Sequence, residues 1–138
     1  MSVWGKPVIV DARFAPSIYN AAANPIEQGN IASASGQDTT NNYNTRLRTN
    51  GYIAVTEGRA YRIDTNVFRV YCYFYDSTQA FLTGQSVGWV TPLPDNVTVP
   101  AGAAYMRMVL AKSTGNITPE DVTRLTIRPA QNSMIYIS

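Results

Sequence analysis

Between residues 69 and 76 the chain reads RVYCYFYD, and the positions alternate through it without a break. A period of two predicts a β-strand that sends Val70, Cys72 and Phe74 to one face and Arg69, Tyr71, Tyr73 and Tyr75 to the other. The first face is ordinary core. The second sets three tyrosines in a row, roughly 7 Å apart, each with a flat apolar ring and a polar tip. Residues 103–110 follow the same rule, with Met106, Met108 and Leu110 on one side and Tyr105, Arg107 and Val109 on the other.

Shorter strand-like runs surround these two. Residues 28–36 read as a strand ending in a turn. Residues 46–49 form an alternating strand with Arg46 and Arg48 on one face, and Asn50-Gly51 is the sharpest turn signal of the chain. Residues 52–55, 61–64, 80–82, 89–90, 123–128 and 134–137 are further strand segments, and prolines 92, 94 and 100 break the connection after Trp89-Val90. Residues 117–122 give one helical turn, with Thr118 as cap, Pro119 at the first helical position and Asp121 three residues after the cap. Short strands between Gly, Pro and Asn turns predict an all-β fold. The expected form is an antiparallel β-sandwich of jelly-roll type, with a closed barrel as the alternative. No fixed-period repeat is present.

The first 26 residues break the pattern. Residues 8–10 are strand-like, but Pro7, Pro16 and Pro25 stop any long element, so residues 1–26 read as an extended N-terminal arm ahead of a sandwich domain at 27–138. Trp4, Phe14, Ile18 and Tyr19 need a surface to cover them. That surface is either the chain's own domain or a neighbouring subunit or larger assembly.

Composition removes several kinds of chemistry. The 138 residues suffice for one domain with a real core, and 45% hydrophobic against 14% charged content suits a β protein. A net charge of +2 without any Lys/Arg run gives no footprint for nucleic acid. With no histidine, Ser-His-Asp triads, Cys-His pairs and imidazole metal ligands are impossible. The single cysteine, Cys72, lies on the apolar face of its strand, where it reads as a small buried hydrophobe. Carboxylates such as Asp64, Asp76, Asp95 and Asp121 fall at strand ends, turns or a cap, and no Asp-x-Asp-x-Asp loop occurs. The expectation is therefore a protein without enzymatic activity, metal or cofactor. The Asn96-Val-Thr98 and Asn116-Ile-Thr118 triplets match the N-glycosylation pattern by chance. No run is long enough for a signal peptide or membrane span. A role outside the cell would then imply exit by lysis, a dedicated route or a leader not included.

What remains is the outward aromatic and basic face. Tyr71, Tyr73, Tyr75, Tyr105 and Arg107, with Arg46 and Arg48, would offer flat rings to sugar faces and guanidinium forks to hydroxyls or acidic groups, and Trp89 would add a platform. The competing reading is a second buried layer, with Trp89 in the core and the arm or a partner over the sheet; the aromatic face is then a protein-protein interface of a purely architectural protein, and a small glycan-cleaving enzyme is the remote alternative.

The order of several short motifs resembles a known module. Glu27-x-Gly29-x-Ile31, Gly36, Arg46-Leu-Arg-Thr49 and Tyr52-Ile53 begin it. Tyr61-x-Ile63, Tyr73-Phe-Tyr-Asp76, Phe81 and Trp89 continue it, followed by VPAGAAYMRMVL at 99–110 and ITPE at 117–120. This pattern resembles carbohydrate-binding-like jelly rolls found in bacteriophage tail fibres, baseplates, head fibres and head-decoration proteins. The resemblance implies a non-enzymatic structural protein on the outer surface of the virion, with host-surface glycan binding. It also implies a homo-oligomer, preferably a trimer; the arm lies outside the resemblance, which covers Glu27 to Arg128, and is expected to join the protein to other virion proteins. The resemblance specifies neither a sugar nor a binding residue.

Overall fold

The computed structural model describes residues 5–92 and 95–137, with only the backbone for 133–137. Its strands, in chain order, begin with β1 (Lys6–Val10), β2 (Ile26–Gln28), β3 (Asn30–Ile31), β4 (Asp38–Thr39) and β5 (Leu47–Thr49). Next come β6 (Ile53–Ala54), β7 (Ala60–Thr65), β8 (Arg69–Tyr75), β9 (Val87–Val90) and β10 (Asn96–Thr98). The last are β11 (Tyr105–Ala111), β12 (Leu125–Pro129) and β13 (Ser133–Ile137). Among the described residues the only helical segments are three single 3-10 turns.

Two antiparallel sheets share one core. The larger has the order β2-β5-β11-β8-β9, with β6 also on β11, and the smaller is β10-β7-β12. The two long alternating segments lie side by side at the centre, from Tyr105 opposite Tyr75 to Ala111 opposite Arg69. Their apolar faces are those expected from the alternation. Val70, Cys72, Phe74, Met106, Met108 and Leu110 of the large sheet meet Tyr61, Ile63, Val97 and Ile127 of the small one. Each large apolar side chain buried here contributes about 1.5–3 kcal/mol. Cys72 is fully buried, and loss of solvent pushes its thiol up to about 12. It packs and does not react.

Two local readings need comment. Asn50-Gly51 makes a bend but no hairpin: β5 and β6 both run antiparallel to β11, so the chain continues past the bend in the same direction. A tight turn's residues fix local geometry, and the long partner strand decides whether the chain reverses. The turn at Pro119–Asp121 does form as the cap pattern predicts, with the Thr118 amide donating to Asp121 Oδ2 at 2.9 Å.

The N-terminal segment lies against the domain. β1 pairs along its length with β13, from Lys6 opposite Ile137 to Val10 opposite Ser133. Farther on, the Ile18 amide donates to the Ile127 carbonyl at 2.8 Å, and the Ser17 hydroxyl accepts from the Ile127 amide at 2.9 Å. Ile18 and Tyr19 pack on the main core, so their apolar surface is covered by their own chain. Of the two surfaces expected for the arm, Ile18 and Tyr19 take the chain's own domain, and not the neighbour that an assembly role would need. Phe14 stays 79% exposed and Ile9 63% exposed. Trp4 lies outside the described residues.

Candidate functional site

The outer face of the large sheet carries the tyrosines, and most of it is closed. Residues 30–39, which contain β3 and β4, fold back over it. Three side chains of the sheet hold that cover by its backbone. The Tyr73 hydroxyl donates to the Ile31 carbonyl at 3.0 Å, the Tyr75 hydroxyl donates to the Gly36 carbonyl at 2.7 Å, and Arg48 Nη1 donates to the Asn30 carbonyl at 3.0 Å. Arg107 adds an ion pair to Asp38 at 2.8 Å while two of its other nitrogens donate to the Thr49 carbonyl. Ile31, Tyr73, Tyr75 and Val109 form a second buried cluster, joined by Phe81 and Tyr52 at its margin.

Four sequence-derived binding residues are thereby corrected. Tyr73, Tyr75 and Arg107 are buried, and Arg48 is largely covered and paired with Glu27 and Asp38. The physical reason is the polar tip itself: a tyrosine ring buries well when its hydroxyl finds a carbonyl, and the loop supplies one for each of these two tyrosines. Burial pushes the Tyr75 phenol up to about 12 and raises Tyr73 as well, so both are neutral donors at physiological pH. Tyr105 is half-buried and lies edge-on to Tyr52 at the far end of the sheet. Six residues along β11 separate it from the level of Arg69, about 20 Å of strand.

The other end of this face is left open. The register carries it across three strands: Arg48 stands opposite Val109 and Leu47 opposite Leu110, which brings Arg46 level with Ala111, itself opposite Arg69. The row therefore reads Arg46, Ala111, Arg69. Beside it β9 presents Trp89, with the Arg69 guanidinium carbon 4.5 Å from its ring centre and that of Arg46 5.0 Å away. Tyr71 meets Trp89 edge-on at 5.4 Å and stacks on Tyr73 at 4.7 Å. Its ring also lies where a Cβ on Gly88 would stand, only 2.0 Å from that point, so a side chain there would displace it. All four residues are half-buried.

The electrostatics of this corner are one-sided. Arg48 and Arg107 are matched by Glu27 and Asp38, whereas Arg46 and Arg69 form no ion pair among the described residues. Arg46 reaches only Thr45, and Arg69 Nε is buried without an acceptor. Partial burial first, then the like charge of Arg69, push the Arg46 guanidinium down from its ordinary value. Trp89 and Tyr71 thus use their surfaces largely on each other and on the arginines. What the corner offers outward is guanidinium N–H groups on an aromatic support. Arg69 stands on the tyrosine face, where the alternation puts it, although it is not among the residues expected to bind.

A cleft of about 480 Å³ lies elsewhere, between the N-terminal segment and the outer face of the small sheet, with Asp11, Arg13, Arg62, Asp64 and Arg128 in its walls. Two carboxylates in one cleft invite comparison with glycoside hydrolysis, which needs a proton on one of them. Hydrogen bonds from Arg13 hold Asp11 at about 2, so it is ionised at neutral pH, and Asp64 is engaged by Arg124 at 2.9 Å. Among the described residues no group of three potential metal ligands occurs, and no helix is long and apolar enough to cross a membrane. No family model matches the chain, and neither a curated protein nor a solved structure matches it significantly.

Proposed function

We propose that this chain is a structural accessory protein of a bacteriophage particle, a jelly-roll-like module on the virion surface that adheres to host-envelope polysaccharide without cleaving it. The motif order from Glu27 to Arg128 suggests the class. One observation carries the adhesive part. At the corner of the aromatic face where Tyr71, Trp89, Arg46 and Arg69 stay half-buried, the two arginines lack an acidic partner among the described residues. Guanidinium forks on a rigid aromatic base suit directional hydrogen bonding to a sugar polymer. Single-site affinity would be weak, and many copies on one particle convert it to avidity.

A glycan array and host-wall pull-down with the chain displayed multivalently test this reading. Binding to at least one envelope polysaccharide, lost in Trp89→Ala/Arg69→Gln with the fold intact, is the expected result. Failure to bind any host envelope at high valency would remove it.

A second reading is supported by the exposed Phe14 and Ile9 of the N-terminal segment. Two large apolar side chains left in water suit a contact with a second copy, in a trimer, or with another virion protein. In a purely architectural protein this contact would be the whole function.

A further inference from the structure

The geometry points to an acidic polysaccharide as the ligand of the open corner, with one carboxylate, sulfate or phosphate group held jointly by the guanidiniums of Arg46 and Arg69. This assignment rests on the adhesive reading above and narrows its ligand class.

Charge balance is the first argument. Four arginines point to this face of the sheet. Glu27 and Asp38 serve Arg48 and Arg107, and the other two are left without a carboxylate among the described residues. Two cations at a half-buried site repel each other, because the surroundings screen them less than water does. The second argument is spacing. Arg46 and Arg69 flank Ala111, which is too short to separate them, and both lie against the one indole of Trp89. Two long, rotamer-rich side chains are thus gathered before any ligand arrives. The third is an unsatisfied donor: Arg69 Nε is buried and finds no acceptor. Arg48 Nε and Ser86 Oγ are orphaned as well, so the missing acceptor of Arg69 counts only beside the charge and spacing of this corner.

An oxyanion answers the first two arguments directly. It neutralises both cations and accepts from both forks in the paired geometry that guanidinium favours. The third shows that Arg69 has hydrogen-bonding capacity left over. A neutral sugar would supply acceptors but leave the repulsion. Two charges at one corner are also too few to follow a nucleic-acid backbone, which requires a longer basic track.

The test titrates the full-length chain with oligoglucuronate, its carboxyl-reduced counterpart, oligo(glycerol phosphate) and sodium sulfate, following the Nε–H signals of Arg46 and Arg69 by NMR. The expected result is that an acidic oligomer moves both signals and binds at least about tenfold tighter than the reduced one. Arg46→Gln and Arg69→Gln should each weaken it by about tenfold or more, as for loss of a charged hydrogen bond, while Arg59→Gln leaves it unchanged. Arg69→Lys, which keeps the charge without the fork, should fall between, and the comparison of oligomers needs no variant at all. Equal binding of both oligomers, insensitive to the arginine variants, would overturn the acidic assignment and leave polysaccharide adhesion standing. Sulfate moving the two signals with no oligosaccharide bound would overturn both polysaccharide readings in favour of an acidic protein partner. No response to any probe would overturn the site altogether.

Discussion

Tyr75 shows how one side chain ties the cover to the sheet. Its ring is fully buried and its hydroxyl donates to the Gly36 carbonyl at 2.7 Å. Tyr75→Phe keeps the ring and strands that carbonyl, so it should cost about 1–2 kcal/mol, measured as a shift in the denaturant midpoint at neutral pH. A pH dependence follows from the same burial. An unfolded tyrosine ionises at about pH 10, whereas folded Tyr75 ionises at about 12 and Tyr73 is raised as well. Within that window the native state keeps protons that the unfolded chain has released. Stability is therefore intact below about pH 10 and declines as pH rises through the folded values. The decline should be shallower in Tyr75→Phe, and an unchanged slope would show that this phenol is not protected.

At the scale of elements, the decisive piece is the cover formed by residues 30–39. The alternation in residues 69–76 and 103–110 identifies both faces of the central strands, since period two is a local signal. It does not reveal what lies on the second face. That depends on contacts made 42, 39 and 69 residues apart, from Tyr73 to Ile31, Tyr75 to Gly36 and Arg107 to Asp38. A polar, small-residue segment gives no periodic sign that it will lie on tyrosines. The single usable hint was Ile31 beside Ala32 and Ser33, an apolar anchor with little bulk around it. Gly36 tests the cover directly. It has φ +67°, and an added Cβ would stand 2.4 Å from the Phe81 ring. Gly84 has φ +78° with nothing within 4 Å. Both alanine variants bear about 1–2 kcal/mol of backbone strain. Gly36→Ala should exceed Gly84→Ala by a further ~1 kcal/mol or more from overpacking. It should also speed amide hydrogen exchange at Ala32, whose N–H is held by the Gln37 carbonyl.

For the whole molecule, the antiparallel sandwich with its core strands was legible in the chain, and the 3-10 turn at Pro119–Asp121 was legible down to its cap. The candidate site was legible only as a set of residue types. Packing then divided that set, giving Tyr73, Tyr75, Arg107 and Arg48 to the closed interior and leaving Tyr71 and Trp89 at the open corner with Arg46 and Arg69. In the second proposed reading the exposed Phe14 and Ile9 form the contact between copies. Phe14→Ser/Ile9→Thr should turn a trimer into monomers by light scattering while each monomer stays folded by circular dichroism, because neither side chain is buried in the protomer. If the aromatic face is divided into a structural part and a binding part, the two parts respond differently to substitution. Thermal stability and binding to host-envelope polysaccharide are recorded together for Tyr75→Phe and Trp89→Ala. The prediction is that Tyr75→Phe lowers stability and binds as the unaltered chain does, whereas Trp89→Ala stays folded and loses binding. Loss of binding in folded Tyr75→Phe, or full binding by Trp89→Ala, would contradict it.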